Sequence, residues 1–125
     1  MDRIPKPIFE RRRWVRIDET LPFKIGHRGY DIQAKTLNIS MHGVMCLVDK
    51  DIPIMTQLEI ALALPASGRS KKEQKVKAKG VVVRKEKDAA SGKFFIAIYF
   101  LDISPKTRGI LNKFIESRIR QKGDR

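Results

Sequence analysis

Tyr30-Asp31-Ile32-Gln33-Ala34-Lys35-Thr36-Leu37-Asn38-Ile39-Ser40, followed by Met41-His42-Gly43 and Val44-Met45-Cys46-Leu47-Val48, is the segment from which the architecture can be read. It starts with apolar and polar residues in alternation, the period of a strand with one face turned inward. His42-Gly43 breaks the run, and the β-branched and apolar residues after it resume as a second strand. Upstream, Leu21–His27 alternates in the same way and ends at the turn signal Arg28-Gly29. Asp49–Pro53 reads as a loop. Gln57–Leu64 is compatible with strand or helix by composition, but its length of eight and the terminating Pro65 favour a strand. Val76–Arg84 is a strand with an interior Gly80 that suggests a bulge or bend. Ala90–Lys93 is a hairpin connection, and Phe94–Leu101 a buried strand. Six strand candidates with short connections point to an antiparallel barrel or sandwich.

The last part of the chain changes period. Ser104 is a good N-cap, and Pro105 suits the first helical position. Ile110, Leu111, Phe114, Ile115 and Ile119 then recur on one helical face, which predicts an amphipathic helix over about 104–121 that packs on the sheet. At the other end, residues 1–16 read as a flexible basic arm. Pro5 and Pro7 discourage regular structure there, and Arg11-Arg12-Arg13 is a like-charge cluster. The expected organisation is an arm over 1–16 and one barrel-and-helix domain over 17–125.

The chain of 125 residues is the size of a single domain, and its hydrophobic fraction of 42% supports a packed core. No apolar run approaches the ~18 residues of a spanning helix. The N-terminal residues lack the apolar region of a secretion leader, and the lone Cys46 fits a reducing compartment, so a cytoplasmic location is expected. The net charge is +13 and unevenly placed. Residues 65–88 carry nine basic and three acidic groups, whereas residues 31–64 carry two and four. Such a field attracts polyanions: nucleic acid, anionic lipid or a phosphorylated small ligand.

Catalytic constellations are missing. With two histidines and one cysteine there is no Cys/His cluster at metal-ligand spacing. Neither a phosphate-binding Gly-x-x-x-x-Gly-Lys-Ser/Thr nor a Gly-x-Ser-x-Gly elbow occurs. His42 reads as a loop residue and Cys46 as core. No enzyme activity, metal or cofactor is expected.

Two short motifs carry chemistry. Arg12-Arg13-Trp14-Val15-Arg16 is an Arg-x-x-x-Arg whose planar guanidinium forks can grip a phosphate, pair with the O6/N7 edge of guanine or stack on a base. Asn38-Ile39-Ser40-Met41-His42-Gly43 is an Asn-x-Ser-x-x-Gly at a strand end. The strand period sets Asn38 and Ser40 on one face, and Gly43 can take a positive φ and admit a ligand close to the backbone.

Together, in this order and roughly twenty residues apart, the two motifs resemble those of the PilZ domain family, the cyclic di-GMP receptors. The likeness extends to Lys79–Arg84 and Ile96–Asp102, and covers about residues 10–118. It implies a mainly β fold, a six-stranded antiparallel barrel with a C-terminal helix. It implies a receptor that changes conformation on binding cyclic di-GMP and signals to a downstream protein partner. Arg12 and Arg16 would take the ligand's phosphates and guanine edges, Asn38 and Ser40 would hydrogen-bond a guanine, and Gly43 would permit the turn beside it. The basic Arg11 just before the motif implies two ligands bound as a stacked dimer. Asn38 stands where the family more often has aspartate, and an amide offers one carbonyl oxygen where a carboxylate offers two. Ala97 stands where similar members often have glycine, which would alter local strand geometry. The alternatives are a non-specific nucleic-acid module using the arm and the lysines around 69–79, or a degenerate member acting as a protein adaptor.

Overall fold

A computed structural model describes residues 16–27, 30–66 and 72–123. Arg11 and Arg12, with the rest of the arm before Arg16, lie outside the described residues. The strands are β1 (Pro22–His27), β2 (Tyr30–Ile39), β3 (Gly43–Val48), β4 (Gln57–Leu64), β5 (Gln74–Lys87) and β6 (Phe94–Asp102). A helix, α1 (Pro105–Gly123), follows. The strands close into an antiparallel barrel in the order β1-β2-β3-β6-β5-β4, with β4 pairing back onto β1. The barrel expected from the resemblance is therefore present, and the sandwich is not. Closure removes the edges that lysines on an open sheet would protect.

Alternation explains the core. In β3, Val44, Cys46 and Val48 face inward, and in β4, Leu58, Ile60, Leu62 and Leu64 do. These meet Phe23 and Ile25 of β1 and Ile96 and Ile98 of β6 in one buried cluster. Full burial of each such side chain contributes about 1.5–3 kcal/mol. The thiol of Cys46 is wholly buried, and desolvation pushes its pKa up to about 12. It is a core residue, as its apolar strand suggested.

Ser104 caps α1: its hydroxyl accepts the Thr107 N–H at 3.1 Å. Leu111, Phe114 and Ile115 enter the same core as Ile17 and Leu21. Ile119, expected on the buried face, is 41% exposed because it lies one turn beyond the last core residue of the helix. Arg118 lies over the Phe114 ring, 4.7 Å from its centroid, and pairs with Glu19 at 2.8 Å. The helix thus packs against the segment that leads from Arg16 into β1.

That segment is held along the end of β2. The Ile17 N–H donates to the Ile39 carbonyl and the Ile39 N–H to the Ile17 carbonyl, at 2.9 and 3.0 Å. Thr36, fully buried, donates its hydroxyl to the Glu19 carbonyl at 2.5 Å and accepts the Leu21 N–H at 2.9 Å. A buried hydroxyl with both functions satisfied ties the segment to the strand at both Glu19 and Leu21.

Candidate functional site

Strict alternation along β2 runs inward at Ile32, Ala34 and Thr36, and would turn Asn38 into the core. The strand does otherwise. Its register with β3 shifts between Thr36 and Asn38, a β-bulge at Leu37. Leu37 and Asn38 both face out, and Ile39 resumes the buried positions. The extra residue re-aims a polar side chain, a common use of bulges. β5 repeats the device. Its register with β6 shifts between Val82 and Arg84, so Val82 is buried while Val83 and Arg84 are both exposed. A further shift at Lys79/Gly80 matches the bulge expected at that glycine.

Between the two outward-turned residues runs one cross-strand row. Asn38 pairs with Met45, Met45 with Ala97, and Ala97 with Arg84. Three strand spacings make the row about 14 Å long. Met45 and Ala97 form its floor, and Tyr99, 42% exposed, stands one step along β6 opposite Gly43. Arg16, exposed, enters from the side, because the Ile17–Ile39 bridge pins its neighbour between Asn38 and Ser40.

Arg16, Asn38, Ser40 and Gly43 thus line one groove, together with His42, Met45, Val83, Arg84, Ala97 and Tyr99. Its charged lining is two arginines and no carboxylate. It encloses only about 100 Å³, below the ~300–1,000 Å³ of pockets that surround a drug-sized ligand. A dinucleotide placed there would rest against the barrel wall and not inside a cavity. A second depression, of about 490 Å³, lies on the β1/β4/β5 side. There Lys24, Lys77 and Lys79 are matched by Asp31, Glu59 and Asp102. It is roomier but electrically balanced, so the smaller groove is the better anion site.

The Ser40–Gly43 turn has its own logic. The Ser40 N–H donates to the Gly43 carbonyl at 2.9 Å, and the Ser40 hydroxyl accepts the His42 N–H at 3.1 Å. Ser40 is 4% exposed, so its hydroxyl shapes the hairpin from below. Gly43 does not have the positive φ that its place after His42 suggested; among the described residues that conformation occurs at Met55 and Gly92. Its need is steric instead: a Cβ there would collide with the Ile98 carbonyl of β6. The Asn38 amide donates weakly to the Met45 thioether at 3.8 Å.

Met45, Val83, Arg84 and Tyr99 belong to neither motif. Period counting puts Arg84 on the inner face, and only the bulge reverses it. Ala97, expected to alter local strand geometry, pairs regularly with Met45 of β3, while on its other side the β5 register shift falls between its own partner Arg84 and the partner of Ile98; its methyl lies on the groove floor. Among the described residues no group of three or more His, Cys, Asp or Glu could hold a metal, and no helix is long and apolar enough to cross a membrane.

The PilZ domain family model matches residues 10–117. No curated protein matches. Solved structures do. The Bacillus subtilis inhibitor of motility MotI/DgrA superposes with a TM-score of 0.74 at 21% identity, over 88% of this chain and 52% of its own. The PilZ domain of YcgR from Escherichia coli with c-di-GMP gives 0.57 at 19%, over 92% and 98%. The Borreliella burgdorferi PlzA protein in complex with c-di-GMP gives 0.56 at 13%, over 89% and 55%. The chain spans about half the length of the first and third of these and nearly all of the second.

Proposed function

The chain belongs to the PilZ domain family, and from that membership we propose that it is a receptor for cyclic di-GMP that changes conformation on binding and passes the signal to a protein partner. The observation that carries this reading is convergence. Arg16 and all three residues of the second motif line a single groove that has arginines and no carboxylate. Two of the solved structures that share its fold hold that ligand.

The chemistry follows from the groove. The Arg16 fork suits a phosphate or the O6/N7 edge of guanine, and Asn38 suits a base edge. Met45, Val83 and Tyr99 offer apolar surface for a purine face. Ser40 supports the turn that presents Gly43, so its contribution to a guanine goes through its hairpin as well as through its hydroxyl. By the family resemblance, Arg11 and Arg12 would add their forks to the grip on a ligand at this shallow groove. Four arginines at positions 11, 12, 13 and 16 repel one another until a ligand with two phosphates neutralises them, and ordering of this segment is then the switch. Arg11 adds a grip for a second, stacked ligand. The family's domains act as ligand-binding receptors, and catalysis forms no part of this proposal.

Isothermal titration of the full chain with cyclic di-GMP tests the reading. Saturable binding at micromolar concentration is expected, surviving excess duplex DNA, with two ligands per chain. Arg16→Ala should remove measurable binding. Equal uptake of DNA and dinucleotide, or unchanged affinity in Arg16→Ala, would refute it.

A further inference from the structure

Arg84 is the groove's second arginine, and neither motif includes it. It sits on β5, at the opposite end of the row from Asn38, about 14 Å away by strand spacing. It is there because of the bulge at Val83, just as Asn38 faces out because of the bulge at Leu37. Two independent irregularities, on strands that are not paired with each other, each turn one polar side chain onto the same floor. The next residue, Lys85, is paired with Asp51. Among the described residues no ion pair or hydrogen bond engages the Arg84 side chain, which stands exposed beside Val83 and across from Ala97. A cation so placed, on a groove lined without carboxylates, offers its donor fork to an acceptor.

We propose that Arg84 is a ligand-binding residue that grips the far end of the dinucleotide, through a phosphate or the O6/N7 edge of its second guanine, while Asn38 holds the near end. This rests on the cyclic di-GMP reading and sharpens it. A row about 14 Å long with a polar group at each end and apolar atoms between fits a ligand with two polar ends and suits a single nucleotide poorly. Recognition of both halves at once would favour the cyclic dinucleotide over its monomer.

The test is titration of the full chain with cyclic di-GMP for wild type, Arg84→Ala, Arg84→Lys, Arg84→Glu and Lys77→Ala. Lys77→Ala removes the same charge from the balanced depression on the other wall. Arg84→Ala should weaken binding about 10- to 100-fold, the loss expected for a charge-assisted hydrogen bond. Arg84→Glu should weaken it further, and Lys77→Ala by less than about twofold. Arg84→Lys retains most affinity if a phosphate is held as a point charge, and falls like Arg84→Ala if the planar fork holds a guanine edge. Arg84 is exposed, so the variants should melt with wild type, and circular dichroism checks that. Wild-type binding that Arg84→Ala leaves within twofold, or that Lys77→Ala weakens equally, overturns the role of Arg84 and leaves the receptor reading standing. No wild-type binding overturns both.

Discussion

Two outward-facing rows leave β2 and reach β5 by opposite routes around the barrel. One runs Gln33–Lys24–Ala61–Lys77 through β1 and β4. The other runs Asn38–Met45–Ala97–Arg84 through β3 and β6. The first obeys the strand period throughout, and its pairing has no register shift. The second has a bulge at each end. The regular wall is charged, balanced and readable by counting residues. The bulged wall is where the motif residues gather. Period-2 order builds the container, and its interruptions build the groove.

Two glycines, one on each wall, mark the extremes of this contrast. Gly43→Ala forces a methyl into the Ile98 carbonyl, which belongs to backbone and cannot swing aside. Urea unfolding should show a loss of about 3 kcal/mol, at the top of the range for overpacking, together with loss of cyclic di-GMP binding. A loss under about 1 kcal/mol would mean that β3 and β6 are not so tightly apposed at the groove.

Thr36→Val comes next. It keeps the shape and removes the hydroxyl, leaving the Leu21 N–H and the Glu19 carbonyl without their partner. The expected loss is about 1–3 kcal/mol by urea unfolding, with weakened ligand binding because Arg16 rides on that segment. Stability loss without any change in affinity would separate the bracing of the segment from the site.

Cys46 probes the inner side of the bulged wall, where alternation holds. Burial keeps its thiol protonated up to about 12. It should therefore resist a water-soluble disulfide reagent at pH 8 in the native protein and react at once in urea. The folded state holds this proton more tightly than the unfolded chain. Its contribution to stability is therefore complete below the unfolded value and is lost as pH rises from 9 towards 12. Prompt labelling of native protein would show that the groove wall opens locally.

The smallest effect is expected at Gly26→Ala, on the regular wall. A Cβ there meets its nearest neighbour, the Glu59 carbonyl, at 3.8 Å, an ordinary separation. Stability should change by no more than about 0.5–1 kcal/mol, in the stabilising direction, because alanine costs less chain entropy than glycine. A large loss would erase the difference between the walls.

The same contrast sets what could be read in advance. Gln57–Leu64 was legible as a strand because Pro65 cuts it to eight residues, and Phe94–Leu101 because it is one unbroken apolar run, although Tyr99 and Leu101 of that run face outward and the strand is buried on one side only. The capped start of α1 was legible because Ser104-Pro105 is a local signal. Arg16, Asn38, Ser40 and Gly43 were legible as motif residues, though not for the right local reason in every case: Gly43 answers to a neighbouring backbone three strands later in sequence, which no local pattern encodes. Arg84 was illegible because the register shift that exposes it depends on β6. Ile119 was misplaced because helical periodicity does not say where the partner surface ends.

The Arg118–Glu19 pair joins the far end of the chain to the stretch from which Arg16 projects. Sequence separates these groups by about a hundred positions, yet the ion pair joins them where Thr36 of β2 holds Glu19. A protein that clasped the last turns of α1 would therefore be holding the anchorage of the arginine at the groove's mouth. Any help that such a clasp lent to the ligand, the ligand would lend back to the clasp in the same amount.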